Sequence, residues 1–245
     1  MKKVYRIRLA VKGADIVFSV THEMLKKYNA YTDPKHFIND GVQEYFIAEA
    51  KPYLIGQPIR IGFSANMLRK DIDRDILIQI IEENRECVCE FWGNYQNAQA
   101  NIGGREDSDT KKFIELLFTK KNVIMHGAIP ATDLAVAIKK MDAFLICYDV
   151  QKDQSKGTNY HKIMEYLATG RVVISSNITT YRERPNLIQM VAERNNNFLL
   201  PLLFKNVIVN IMDFNHVTLQ NKRISLSLDN TYAQQINRID QIIYG

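Results

Sequence analysis

The stretch NYHKIMEYLATGRVVISSN, residues 159–177, places a single acid, Glu165, on a helix-period run that ends at Gly170 and enters an apolar segment. At 100° per residue, Ile163, Met164 and Leu167 share one face and His161, Lys162 and Glu165 fall on the other. A solvated face with a Lys162–Glu165 pair would account for that polar side and be worth about 0.2–0.5 kcal/mol. The surroundings favour a ligand. A Gly-Thr-Asn turn, 157–159, follows a polar loop, so the free N–H groups of the helix start at Thr158, Asn159 and Tyr160 point outward, a disposition that suits phosphate. A carboxylate nearly two turns in can accept hydrogen bonds from paired hydroxyls such as those of a ribose. Ala168 lets the helix lie close to a sheet.

Other chemistries find less support. His22, His36, His126, His161 and His216 lie far apart, and no Ser-His-Asp or Cys-His set is legible. There is no G-x-G-x-x-G and no phosphate loop ending in G-K-[ST], so nicotinamide and ATP readings lack their motifs. Asp71, Asp73, Asp75 and Glu82 follow calcium-loop spacing, but Ile76 stands where that loop needs Gly, within an apolar helical run. These acids are better placed to cap a helix. Asp71-x-Asp73 and Asp107-x-Asp109 are D-x-D pairs in polar loops, and no metal site is expected. Cys87, Cys89 and Cys147 lack metal-ligand spacing and read as small buried hydrophobes in a reducing compartment.

The elements that would position these residues alternate short apolar runs with amphipathic helices. ADIVFSV reads as a strand and THEMLKKYN as a helix capped by Thr21. FINDGVQ reads as a turn at Asn39–Gly41. The strands QPIRIGFSA, ECVCEFWG, NVIMHG, AFLICYDV and RVVISSN then alternate with the helices DRDILIQIIEEN, DTKKFIELLFTK, ATDLAVAIKKM and NYHKIMEYLATG. LIQMVA is a last short strand. From about Asn195 the chain is helical, with Pro201 starting or kinking a helix and KRISLSLDNTYAQQINRIDQII forming one long amphipathic end. Strands apolar on both faces, joined by short connections, predict an α/β, Rossmann-like, doubly wound parallel sheet with a helical C-terminal tail. The polar loops 93–109 and 149–159 follow strand carboxyl ends, the edge where such sheets bind ligands.

The chain has 245 residues, 46% of them hydrophobic, enough to bury a full core. Its net charge of +5 comes from scattered Lys and Arg, which argues against nucleic acid. The dense basic run MKKVYRIRLAVK reads as a solvated helix face, with an anionic lipid surface as the alternative. No signal peptide and no run of about 20 apolar residues is present. A soluble, cytoplasmic protein is expected.

YHKIMEYLATGRVVISSN resembles the donor-site helix and following strand of GT-B-type retaining glycosyltransferases, the glycosyl transferases group 1 family. The pattern there is P-x-K-x-x-E-Y-L-A-x-G-x-P-V-V, matched by Lys162, Glu165, Tyr166, Leu167, Ala168 and Gly170. ADIVFSVTHEML resembles the end of that family's N-terminal domain, and FINDGVQEYF its N-G-V-D-x-x-F linker. Three positions depart from the pattern: Gly157 where the family often has a first Glu, Tyr160 for the Pro before Lys, and Val172 for the Pro before V-V.

The resemblance implies residues 1–50 as a remnant of the acceptor domain with its linker, 51–194 as a nucleotide-sugar donor-binding domain and 195–245 as a helical segment. It implies sugar transfer from a nucleotide-diphosphate sugar to a glycan or lipid-linked acceptor in polysaccharide biosynthesis, with no cofactor or metal. It puts Glu165 at the ribose and the helix start at Thr158, Asn159 and Tyr160 at the diphosphate, with Lys162 among the donor-binding residues. Asn66 aligns with a common family Arg; Arg69 or Lys70 would stand in for it. The base would lie by His126, Gly127, Ala128 and Ile129. Partners would be the donor, the acceptor, and either a peripheral contact at the inner membrane or a chain supplying the acceptor domain. A non-catalytic binding or scaffold subunit is the alternative, and a sugar-nucleotide epimerase a third.

Overall fold

A computed structural model describes residues 10–28, 35–96, 107–152 and 159–245. Its centre is a six-stranded, wholly parallel sheet. The strands are β3 (Arg60–Ser64), β4 (Val88–Trp92), β5 (Val123–Gly127), β6 (Ala143–Ile146), β7 (Val172–Ser175) and β8 (Ile188–Met190), in the order β5-β4-β3-β6-β7-β8. Every residue of β6 and β7 is buried, as strands covered on both faces must be. The order reverses between β3 and β6, so their carboxyl ends open the crevice expected of a doubly wound sheet.

The helices between these strands are α2 (Arg74–Glu83), α3 (Ser108–Thr119), α4 (Ala131–Ile138) and α5 (Lys162–Ala168). Asp73 and Asp107 cap α2 and α3, accepting from the N–H groups of Ile76 and Thr110. The acids at calcium-like spacing thus include a helix cap. Before the main sheet, β1 (Val17–Ser19) and β2 (Lys35–Phe37) form a separate parallel pair, and α1 (His22–Lys27) is capped by Thr21 as expected. Strand β2 was not anticipated: three residues are too few to show a period. The basic run at residues 1–9 lies outside the described residues.

Four helices complete the chain: α6 (Leu200–Val209), α7 (Ile211–Phe214), α8 (Val217–Leu228) and α9 (Tyr232–Tyr244). Pro201 sits in the first turn of α6, as expected. The single long C-terminal helix that was expected is two. Asn230 turns back onto the Leu226 carbonyl at 2.7 Å, and Thr231 caps α9 while bridging to Val42. No single described helix is long and apolar enough to cross a membrane.

Helix α5 is fixed from both sides. The Tyr166 ring stacks on Phe144 of β6 at 4.1 Å, and its hydroxyl accepts from the Ser64 N–H at 2.6 Å. From α8, the Arg223 guanidinium donates to the Gly170 and Leu187 carbonyls at 2.9 and 3.2 Å. Gly170 has φ +77°, the left-handed end that Gly supplies without strain. Tyr166→Phe leaves the buried end of β3 with an unsatisfied N–H. It should lower stability by about 1–3 kcal/mol, read as a lower urea midpoint at unchanged slope. An unchanged midpoint would show that this bond does not hold α5 to the sheet.

Candidate functional site

The crevice between β3 and β6 holds a hollow of about 350 Å³. Ser64, Ala65 and Asn66 line it from the end of β3, Trp92, Gly93 and Asn94 from the end of β4, and Ala128, Tyr148 and Tyr160–Lys162 from later segments. Gly93 is necessary to this shape: at φ +129°, a Cβ there would lie 1.9 Å from the Ala65 carbonyl oxygen. The loops after β3 and β6 are tied together. The Asp149 N–H donates to the Asp71 carbonyl at 2.8 Å, and the Asp73 N–H to that of Cys147 at 3.2 Å. A larger hollow of about 550 Å³, lined by Pro58, Glu82 and Arg85 among others, includes Val88 at the amino end of β4, away from the carboxyl edge.

Lys162 differs most from its sequence reading. The helical wheel placed it on an outer face with Glu165, yet it is buried. Its Nζ donates to the Ser64 carbonyl at 2.5 Å and the Tyr148 hydroxyl at 2.6 Å. The loops after β3 and β6 close over the first turn of α5, which the wheel cannot register. Burial, then repulsion from Arg69, lowers its pKa to about 7, against the partial attraction of Glu165 and Asp71.

Arg69 also lines the hollow. Asp71 grips its guanidinium with both oxygens, raising the arginine's pKa; although burial opposes it, this pairing also holds the Asp71 carboxylate below its usual range. The buried Asn66 Nδ2 has no partner among the described residues, while its Oδ1 accepts from the Leu68 N–H at 3.0 Å. The Tyr160 ring leans on that of Tyr148 at 4.9 Å.

The expected helix start needs correction. Helix α5 begins at Lys162, later than Tyr160, and its first turn is tight. The Ile163 and Met164 N–H groups donate to the Tyr160 and His161 carbonyls at 2.9 and 3.1 Å. Those two amides are therefore engaged within the turn, and Lys162 and Arg69 bring side-chain charge to the hollow. The Asn159 side chain is tied elsewhere, its Nδ2 donating to the Val20 carbonyl and Asn39 Oδ1 at 3.0 and 2.9 Å. Thr158 lies outside the described residues. Lys70 turns away: it pairs with Asp107 at 2.5 Å and lines a separate acid-rich hollow with Asp73, Asp75 and Asp149.

Glu165 lies one turn beyond Lys162 and outside the linings of these hollows. The residue is half-buried. Burial raises its pKa and Lys162 partly offsets this.

His126, Gly127 and Ala128 line an adjoining hollow of about 240 Å³ with Asn94, Tyr95 and Gln96, and its walls are mostly polar. The His126 ring lies flat on Trp92 at 4.9 Å and bonds through Nε2 to the buried Glu90 at 2.7 Å. Arg60 satisfies the other Glu90 oxygen. Ile129 packs against the core. Sequence reasoning missed Ser64, Trp92, Asn94 and Tyr148. Their one signal was position at a strand's carboxyl end.

No family model matches the chain, and no curated protein matches it in sequence. Solved structures do. Sucrose-phosphate synthase from Thermosynechococcus elongatus matches with a TM-score of 0.75 at 12% identity, over 99% of this chain and 61% of that one. Anabaena HepE in complex with UDP-glucose matches at 0.69 and 12%, over 98% and 66%. WaaG, a glycosyltransferase involved in lipopolysaccharide biosynthesis, matches at 0.59 and 12%, over 93% and 62%. The chain has the fold of the C-terminal half of a GT-B glycosyltransferase. It spans less than two thirds of each of these three proteins. The resemblance carried by E-Y-L-A-x-G is borne out at the level of fold.

The lowered pKa of Lys162 has a consequence for stability. Between its folded value of about 7 and the ordinary lysine value of 10.5, the unfolded chain binds the extra proton. Stability from this site therefore rises with pH across that window. The difference in unfolding free energy between the wild type and Lys162→Met should grow from pH 7 to pH 9. A difference independent of pH would place the amine in water.

Proposed function

We propose that the chain is the donor-binding half of a nucleotide-sugar glycosyltransferase, transferring a sugar to a glycan or lipid-linked acceptor in polysaccharide biosynthesis. One observation carries the reading: a buried lysine amine, without a carboxylate in ion-pair range among the described residues, faces a hollow at the sheet's reversal point, beside Arg69. The HepE neighbour, in complex with UDP-glucose, supports it by analogy.

In this reading the diphosphate lies over Lys162 and Arg69, with Asn66 Nδ2 as a further donor. Glu165, half-buried one turn further along α5, accepts the ribose hydroxyls. The base lies by His126–Ile129, between Asn94 and Ala128. Lys70 takes no part. Chemistry is departure of the nucleoside diphosphate from the anomeric carbon. Negative charge grows on the leaving oxygen, and fixed donors aimed there lower the barrier by about 3–4 kcal/mol for each well-placed group. The cations already present do this without a metal. Retention of configuration follows the family resemblance, and the acceptor's base belongs to polypeptide outside this fold. The site of action would be the cytoplasm, with peripheral contact at the inner membrane.

A second reading, a non-catalytic subunit paired with an acceptor-binding chain, draws support from α9. Tyr232, Ile236 and Ile243 are exposed there, and the helix buries Gln235 instead. Donor turnover by the chain alone would exclude it.

A thermal-shift screen of nucleoside diphosphates and their sugars tests the proposal, since a ligand at a hundred times its Kd stabilises by about 2.7 kcal/mol. No shift with any of them removes the reading. For a ligand that binds, Glu165→Gln and Arg69→Ala should each weaken affinity tenfold or more in calorimetry without unfolding the chain. Lys70→Ala should leave it unchanged. Equal losses at Arg69 and Lys70 would contradict the assignment of the diphosphate to this hollow.

A further inference from the structure

Helix α6 is apolar on both sides. Leu200, Phe204, Val207 and Ile208 are buried in the core, where the helix packs on β7 and β8. On the opposite side Leu202 and Val209 are 68% and 75% exposed, and Phe198, one turn earlier, is 65% exposed. Leu199 beside it and Met212 in α7 are exposed too. The outer faces of α2 and α3 are of the ordinary kind. Helix α2 turns out Asp75, Gln79, Glu82 and Glu83, and α3 turns out Lys111, Lys112 and Glu115. A helix that is apolar all round is one covered all round, so the outer stripe of α6 marks a contact surface.

Charge decides what covers it. Lys205 is exposed inside the stripe, three residues after Leu202 and four before Val209. A dry protein interface would strip water from its amine. A second copy laid stripe to stripe would bring a second Lys205, and no carboxylate lies between Glu193 and Asp213 to receive either. At a phospholipid surface the same side chain lies along the hydrocarbon and carries its amine up to the headgroup phosphates. Hydropathy agrees. Asn197–Val209 and Ile211–Leu228 together have the length and composition of a membrane span, but they are bent by 88° at their junction. With its inner face in the core, α6 can lie on a bilayer and cannot cross one. Its placement also fits. Asn197 Nδ2 donates to the Asp73 carboxylate at the cap of α2, so the stripe starts at the carboxyl edge of the sheet, where the crevice opens.

We propose that the outer face of α6 seats this protein on a phospholipid bilayer, with Phe198, Leu202 and Val209 in the interface and Lys205 at the phosphates. The inference gives the membrane contact of the proposed function a surface, and it rests on that reading only for which membrane is meant. Seating needs no nucleotide, so the two can fail separately.

The test is flotation of the purified full chain, without nucleotide, on vesicles of phosphatidylcholine and phosphatidylglycerol. The wild type should float. Leu202→Gln and Val209→Gln, both at exposed positions, should each weaken binding about tenfold. Lys205→Glu should weaken it about fivefold or more. Val136→Gln, at an exposed apolar position on α4, should bind like the wild type. Fluorescence from Leu202→Trp should be quenched by bromine-labelled acyl chains, and that from Val136→Trp should not. A wild type that stays with the unbound fraction overturns the proposal. So does flotation that Leu202→Gln and Val209→Gln leave unchanged. A dimer in sedimentation that Leu202→Gln splits, with no flotation, would assign the stripe to a second copy instead. Under each of these three results a nucleotide shift in the thermal screen would leave the donor-site reading standing.

Discussion

The arrangement depends on the span that Lys162 makes across the point where the strand order reverses. One buried amine joins the carbonyl at the end of β3 to the hydroxyl just past the end of β6. Two residues into the same helix lies the first of its apolar contacts, and Tyr166 then stacks on β6 while accepting from the β3 backbone. Helix α5 is thus fastened to both strands that frame the crevice, once from above the sheet edge and once from within the core. A hollow between two loops would otherwise be free to change width.

The charge placement follows from that clamp. Most acids near the carboxyl edge have local duties. Asp71 holds Arg69, Asp73 and Asp107 cap helices, and Asp107 also holds Lys70. Glu90 is shared between Arg60 and His126, which keeps the imidazole flat on Trp92. Lys162 and Glu165 are the ionisable groups on α5 that stay without an ion-pair partner among the described residues. Burying such groups is unfavourable unless they are paired, and a ligand that brings anionic oxygens and hydroxyls offers that pairing.

The sheet was largely readable from the chain because fully buried parallel strands are continuous apolar runs. AFLICYDV and RVVISSN read as strands from composition alone and became β6 and β7. The helix caps were readable because Asp and Thr precede apolar periodic runs. What failed did so for physical reasons. Strand β2 is three residues long and shows no period. The break between α8 and α9 is made by Asn230 and Thr231, whose side chains turn back on the backbone without any Gly or Pro to mark them. Of the candidate site, spacing marked Glu165 and the family resemblance marked Lys162; Lys162 lines the hollow and Glu165 lies outside its lining. A helical wheel treats every outward face as solvent. It cannot anticipate loops from distant strands closing over a helix's first turn. Lys70 and Arg69 are adjacent in sequence, and only the fold separates the one that enters the hollow from the one that leaves it.

The most direct measurement is a crystal structure of this chain with a nucleoside diphosphate bound. The account predicts both phosphates between the carboxyl ends of β3 and β6, with an oxygen about 3 Å from Lys162 Nζ, a normal distance for a charge-assisted hydrogen bond. Phosphates bound elsewhere on the surface, or Lys162 still bonded to Ser64 and Tyr148 alone, would contradict it.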